Sequence, residues 1–167
     1  MTKKDSIILS HWYNLIEGLQ DSSQRFYSSL EEAIKRRQIL DIKMSRVDYR
    51  EGGMFSAKRE YLQVRRKEHV FDVCAAPFGT GFFISWWLGE IPPGGLWRLI
   101  LMIPFFGQLI VRLFRPQTYY RLDTALMFQE SVRLAVLEVI DDITKAKGLR
   151  ALSELERKPI LSSFFKR

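Results

Sequence analysis

VCAAPFGTGFFISWWLGEIPPGGLWRLILMIPFFGQLIV, residues 73–111, carries only two charged side chains, Glu90 and Arg98. The whole chain of 167 residues has 26 Lys and Arg against 19 Asp and Glu, so this stretch stands apart from its surroundings. It splits into uncharged runs at 73–89 and 99–111 around Ile91-Pro-Pro-Gly-Gly-Leu-Trp97. A helix crossing a hydrocarbon core needs roughly 20 apolar residues. Leu96 to Phe114 supplies 19 if Arg98 and Arg112 snorkel to opposite interfaces. The other arm starts near Pro77 and is interrupted by Gly79-Thr80-Gly81. This segregation predicts a transmembrane helical hairpin over 77–114, with a re-entrant hairpin as the alternative and a buried hairpin in a water-soluble core as the plainer reading. Trp86, Trp87 and Trp97 fall around the central loop, where an aromatic belt marks an interface. Arg65, Arg66 and Lys67 precede the hairpin, and Arg112, Arg115 and Arg121 follow it. The positive-inside rule then sets both termini in the cytoplasm and the hairpin in the inner membrane.

Outward from that segment the pattern is amphipathic. Ile8, Trp12, Leu15, Leu19, Phe26, Leu30 and Ala33 recur at helical spacings and predict amphipathic helices over 1–38. Between 39 and 76, apolar and polar residues alternate around Glu51-Gly52-Gly53, predicting a three-stranded meander near 40–50, 54–66 and 69–76. In its middle strand Leu62 and Val64 share a face with Lys58, Glu60 and Arg66. Leu122, Leu126, Val132, Val136, Ile140 and Ile143 predict a long helix from about Thr118 to Lys147, stopped by Gly148, in the region 115–167. The expected fold class is therefore an α+β membrane protein: amphipathic N-terminal helices, a cytoplasmic antiparallel meander, a transmembrane hairpin and a long C-terminal amphipathic helix. Two apolar stripes on so small a chain point to a homo-oligomer in which the stripes pack between subunits.

The chemistry-bearing residues are sparse. The single cysteine, Cys74, excludes an internal disulfide, and no paired Cys or His spacing suggests zinc. Signatures of hydrolases, metalloproteases, Walker nucleotide sites and kinases are missing, so neither an enzyme nor a cofactor is expected. His11 and His69 have no nucleophile or second histidine nearby in sequence. More informative are three basic clusters with interleaved tyrosines. Lys35, Arg36 and Arg37 form the first, and Lys58, Arg59, Tyr61, Arg65, Arg66 and Lys67 the second. The third contains Arg115, Tyr119, Tyr120 and Arg121. Arginine forks bind phosphate and tyrosines stack on bases, so these clusters are candidate ligands for a polyanion such as a single-stranded oligonucleotide, a nucleotide or a lipid headgroup. Within the hairpin, Thr80, Ser85 and Gln108 are the polar side chains expected to face a lumen or another helix.

The run Ser56 to Leu62, continuing through Phe71 to Gly79 and on to Trp86-Trp87, resembles small bacterial two-span membrane proteins over about a fifth of the chain. In organisation alone, the basic cytoplasmic part and hairpin are similar to membrane effectors of anti-phage defence, such as the channel subunit of the Hailong system, which a single-stranded DNA oligomer gates. No diagnostic motif is shared, so no residue role is carried over. The striped helices, spanning pair and basic collar together point to an oligomeric inner-membrane protein, a ligand-gated pore or ion channel, and the resemblance implies a role for it in antiviral defence. A membrane-anchored adaptor with a lipid-facing basic collar is the alternative.

Overall fold

The computed structural model describes residues 6–50, 58–91 and 118–161, and it makes the first uncharged run part of a β-hairpin. Eight elements follow in order: β1 (Ile7–Glu17), α1 (Ser23–Arg36), β2 (Ile42–Arg50), β3 (Lys58–Arg66), β4 (His69–Phe78), β5 (Gly81–Glu90), α2 (Tyr119–Ala146) and β6 (Ile160–Leu161). The strands form one antiparallel sheet in the order β2-β3-β4-β5-β1-β6.

Gly79-Thr80 links β4 to β5 as a two-residue turn closed by the pair Phe78 and Gly81, and Gly79 takes the positive φ of 58° that such turns demand. β5 then runs between β4 and β1, with Trp86 opposite Val73 on one side and Trp12 on the other. Phe82, Ile84, Trp86 and Leu88 point toward the helices and are buried, while Ser85 on the opposite face is only 4% exposed. Phe83 and Trp87 on that opposite face are half-buried, so neither face carries the polar alternation of a solvated strand and the sequence reads as an unbroken apolar run. Over such a short length that run looks the same as part of a buried helix.

The expected N-terminal helix is likewise divided. Residues 7–17 form β1, and Gly18 at φ 74° ends it by donating its N–H to Thr80 O at 3.1 Å. Trp12 and Ile16 face inward and are buried, whereas Tyr13 and Leu15 are exposed on the other side. The second half of the stripe does form a helix, with Phe26, Tyr27, Leu30, Ala33 and Ile34 of α1 buried. α2 starts at Thr118, whose side chain accepts from Arg121 N, and ends before Gly148 at φ 65°. Both helices lie on one face of the sheet and on each other, so most of their apolar side chains are buried in the chain's own core. Each large side chain buried there contributes about 1.5–3 kcal/mol. Arg36 and Arg37 at the end of α1 reach Glu138 of α2 at 2.7 and 2.6 Å.

Tyr27 repairs a gap in the sheet. The β3–β4 ladder runs from Arg66 opposite His69 to Leu62 opposite Val73. Beyond it, Glu60 O accepts from the Tyr27 hydroxyl at 2.8 Å and Ala75 N donates to the same hydroxyl oxygen at 2.9 Å. Burial pushes this phenol's pKa above its ordinary value.

These findings correct the expected fold class. Amphipathic helices over 1–38 become β1 and α1, and the strands within 39–76 are half of a six-stranded sheet. The C-terminal region 115–167 adds β6 as well as α2. The transmembrane hairpin at 77–114 is corrected in its first arm, which is the end of β4 and all of β5, while its second arm lies outside the described residues. Among the described residues no helix is long and apolar enough to cross a membrane. The membrane and ion-channel expectation, and the inner-membrane location with both termini cytoplasmic, lose the first of the two helical spans they were built on.

Trp86→Ala should cost about 3–5 kcal/mol in urea unfolding followed by circular dichroism, because it empties the centre of the core. A loss below about 1 kcal/mol would place Trp86 at a surface. Tyr27→Phe should cost about 1–3 kcal/mol by leaving Ala75 N–H and Glu60 C=O without their partner.

Candidate functional site

Three pieces of chain meet at one end of the sheet. β3 and β4 are joined by Lys67-Glu68, a two-residue turn closed by Arg66 and His69, in which Lys67 holds φ 51°. That left-handed conformation costs a non-glycine residue on the order of 1 kcal/mol. Ile91 N, just beyond β5, donates to Glu68 O at 2.8 Å and ties the end of β5 to this turn. The first turns of α2 cross above, presenting Tyr120, Thr124, Met127 and Ser131 along one flank at helical spacings.

Between these pieces lies a cleft of about 330 Å³. Arg66, Lys67 and Arg121 supply its cations and Glu68 its carboxylate. Phe128 and Ile39 provide the apolar lining. Phe128 is buried against the rings of Phe71 and His69, each 6.3 Å away centre to centre. Arg66 is oriented by a 3.1 Å hydrogen bond from its Nε to Leu40 O, and Arg121 by an ion pair with Glu90. Tyr120 is 79% exposed at the rim.

His69 sits behind the cleft, 3% exposed. Burial drives its pKa below the ordinary value. Glu68 and Glu90 pull it back up, and Arg121 and Arg66 push it further down. The cleft therefore presents three cations, one of them paired with Glu90, and the Glu68 carboxylate over an apolar floor with the buried His69 ring beneath. This arrangement suits a small anion, or a phosphate attached to a flat group.

The structure brings four of the sequence-selected residues into this cleft: Arg66, Lys67, Tyr120 and Arg121. Tyr119 is exposed nearby but does not line it, and Arg115 lies outside the described residues. Arg65 points from the other sheet face and its Nε donates to Lys67 O at 3.4 Å. Lys58 and Arg59 are exposed at the far end of β3, about 26 Å from the turn at a strand's rise per residue. Tyr61 is buried on the outer face, edge-on to Tyr49 at 5.1 Å. Lys35 is exposed on α1, whereas Arg36 and Arg37 are engaged by Glu138. Of the residues expected to line a lumen, Thr80 is in the β4–β5 turn, Ser85 is buried in β5 and Gln108 lies outside the described residues.

The floor of the cleft and its supports are not among the residues singled out by sequence. Phe128, Thr124 and Ser131 fall three and four residues apart along the helix from Tyr120 and Arg121, a periodic signal that the sequence does contain. The Glu90–Arg121 pair has no such signal, since it joins distant segments. A second polar group lies on the outer face: Gln63 Nε2 donates at 3.0 Å to both Tyr49 Oη and Asp72 Oδ1, and Tyr49 donates to Asp72 Oδ2 at 3.2 Å. Burial, then the Asp72 charge, raises the Tyr49 pKa. These groups satisfy one another, which suits a structural network across β2, β3 and β4. Among the described residues no cluster of three or more His, Cys, Asp or Glu side chains could hold a metal ion.

No protein family matches the sequence, and no curated protein is similar to it. A solved structure, TTHA0849 from Thermus thermophilus, is 16% identical over 82% of this chain and 97% of its own, with a TM-score of 0.28. At that score the likeness supports neither a shared fold nor a shared function.

The pH dependence of stability follows from His69. Its folded-state pKa is below the ordinary 6.5, so the unfolded chain takes up the proton first as the pH falls. Its contribution to stability is complete above about 6.5 and is lost as the pH drops through the lower folded-state value. Urea midpoints measured between about pH 8 and 5 should fall for the wild type and fall less for His69→Gln. Equal declines would remove His69 as the cause.

Proposed function

We propose that this chain is a binding protein for a phosphorylated ligand, a single-stranded oligonucleotide or nucleotide, which it holds in the cleft between the β3–β4 turn and α2. The observation that carries the proposal is the convergence of Arg66 and Lys67 with Tyr120 and Arg121, from separate basic clusters, on one cleft with an apolar floor. An arginine fork takes a phosphate in two parallel hydrogen bonds, and Lys67 adds a mobile point charge. Tyr120, free of burial, offers a stacking surface worth about 1–3 kcal/mol per base. The reading needs no membrane span and no chemical step.

The test is fluorescence anisotropy of a labelled short oligodeoxythymidylate, with anionic phospholipid vesicles in a parallel arm. Arg66→Ala combined with Lys67→Ala should weaken oligonucleotide binding at least about tenfold, or 1.4 kcal/mol. Each lost phosphate contact should reduce the slope of log affinity against log salt by about 0.7. Tyr120→Ala should weaken binding with that slope unchanged. Binding to vesicles alone would move the ligand to a lipid headgroup, and oligonucleotide binding indifferent to all three substitutions would contradict the proposal.

A further inference from the structure

β2 is an edge strand of nine residues, Ile42–Arg50, bonded to β3 on one side and, among the described residues, to no strand on the other. The opposite edge of the sheet is the two-residue β6. A long edge with free backbone donors and acceptors is a template for another strand. Its charges are arranged unevenly. Asp48 lies directly across from Glu60, a like-charge opposition that weakens strand pairing. The nearby cation, Arg46, is committed elsewhere: its Nε donates to Glu31 Oε1 at 2.7 Å, its Nη1 is 3.9 Å from Glu60 Oε2, and its guanidinium lies over the Tyr27 ring at 4.6 Å. Asp48 is exposed and has no ion pair among the described residues.

We infer that this edge pairs with a second copy of the chain, β2 against β2, antiparallel about a two-fold axis perpendicular to the sheet. Such an axis keeps every residue on its own face, so each residue meets one of the same parity. The charges then choose the register. With Arg46 on the axis two guanidinium groups oppose each other, and with Asp48 there two carboxylates do. With Ser45 on the axis, Asp48 faces Ile42. With Val47 on the axis, the two valines meet, Ser45 faces Tyr49, and Asp48 faces Arg46 of the second copy at two symmetric positions. Among registers that overlap five or more residues of β2, only this last one gives Asp48 a cation, and Arg46 still has Nη2 to offer it. The interface is independent of the cleft, since β2 contributes no residue to its lining.

Sedimentation velocity on the full chain tests the inference. The wild type should form a particle of twice the 19.7 kDa chain mass, weakened by high salt. Asp48→Lys and Val47→Lys should each raise the dimer dissociation constant at least about a hundredfold, through like charges meeting across the axis. Asp48→Lys removes the opposition to Glu60, so its circular dichroism should remain that of a folded chain. Register is read by crosslinking: Val47→Cys should be joined by a short bifunctional maleimide, and Ser45→Cys should not, while the native Cys74 is buried. A wild type that stays monomeric through the high micromolar range overturns the inference. So does an assembly that survives both lysine substitutions, or one in which Ser45→Cys is joined and Val47→Cys is not.

Discussion

Everything in the structure depends on β5 being bonded on both sides, to β4 through the Gly79-Thr80 turn and to β1 from Glu17 opposite Gly81 to Ile7 opposite Glu90. Hydrogen bonding to two neighbours satisfies the backbone of an apolar segment that would otherwise require helix or lipid. It also gives Phe82, Ile84, Trp86 and Leu88 a common face on which both helices bury their stripes. Removing that pairing would strand β1 as well, because β1 has only the two-residue β6 on its other side.

The same strand positions the cleft. Glu90, the last residue of β5, sits opposite His69 and holds Arg121 at the start of α2, and Ile91 binds the backbone of the β3–β4 turn. The cations of the cleft are thus carried on a strand end, a tight turn and a capped helix, all anchored to the core. Preorganisation of this kind lowers the ordering cost of binding and suits a site with few charges. His69 and Phe128 close it from below and separate it from the core proper.

How much of this could be read from the sequence follows from periodicity. The strands β2 and β3 alternate over much of their length, and α2 carries both Thr118 and Gly148 at its ends, so these elements lie close to where the residues suggest. β1 fits two periods at once: Ile8, Trp12, Leu15 and Leu19 have helical spacing, yet Trp12 is buried while Leu15, on the opposite side of the strand, is exposed. β5 has no period, because its outer face carries the half-buried Phe83 and Trp87 in place of polar residues, and only pairing with distant segments decides its form. In α2 the stripe drifts: Leu126 is exposed, while Phe128 and Gln129, the latter hydrogen-bonded to Ser10 of β1, are buried. That drift hid the cleft floor, whereas the surface residues Arg66, Lys67, Tyr120 and Arg121 stood out by charge and aromatic content.

The most direct test of the account is amide hydrogen exchange, followed by mass spectrometry on protein purified without detergent. Residues 82–88 should exchange slowly and open together with 70–75 and 10–16 as one cooperative unit, since they form one set of ladders. Fast exchange of 82–88 in buffer, with protection appearing only after lipid or detergent is added, would contradict it.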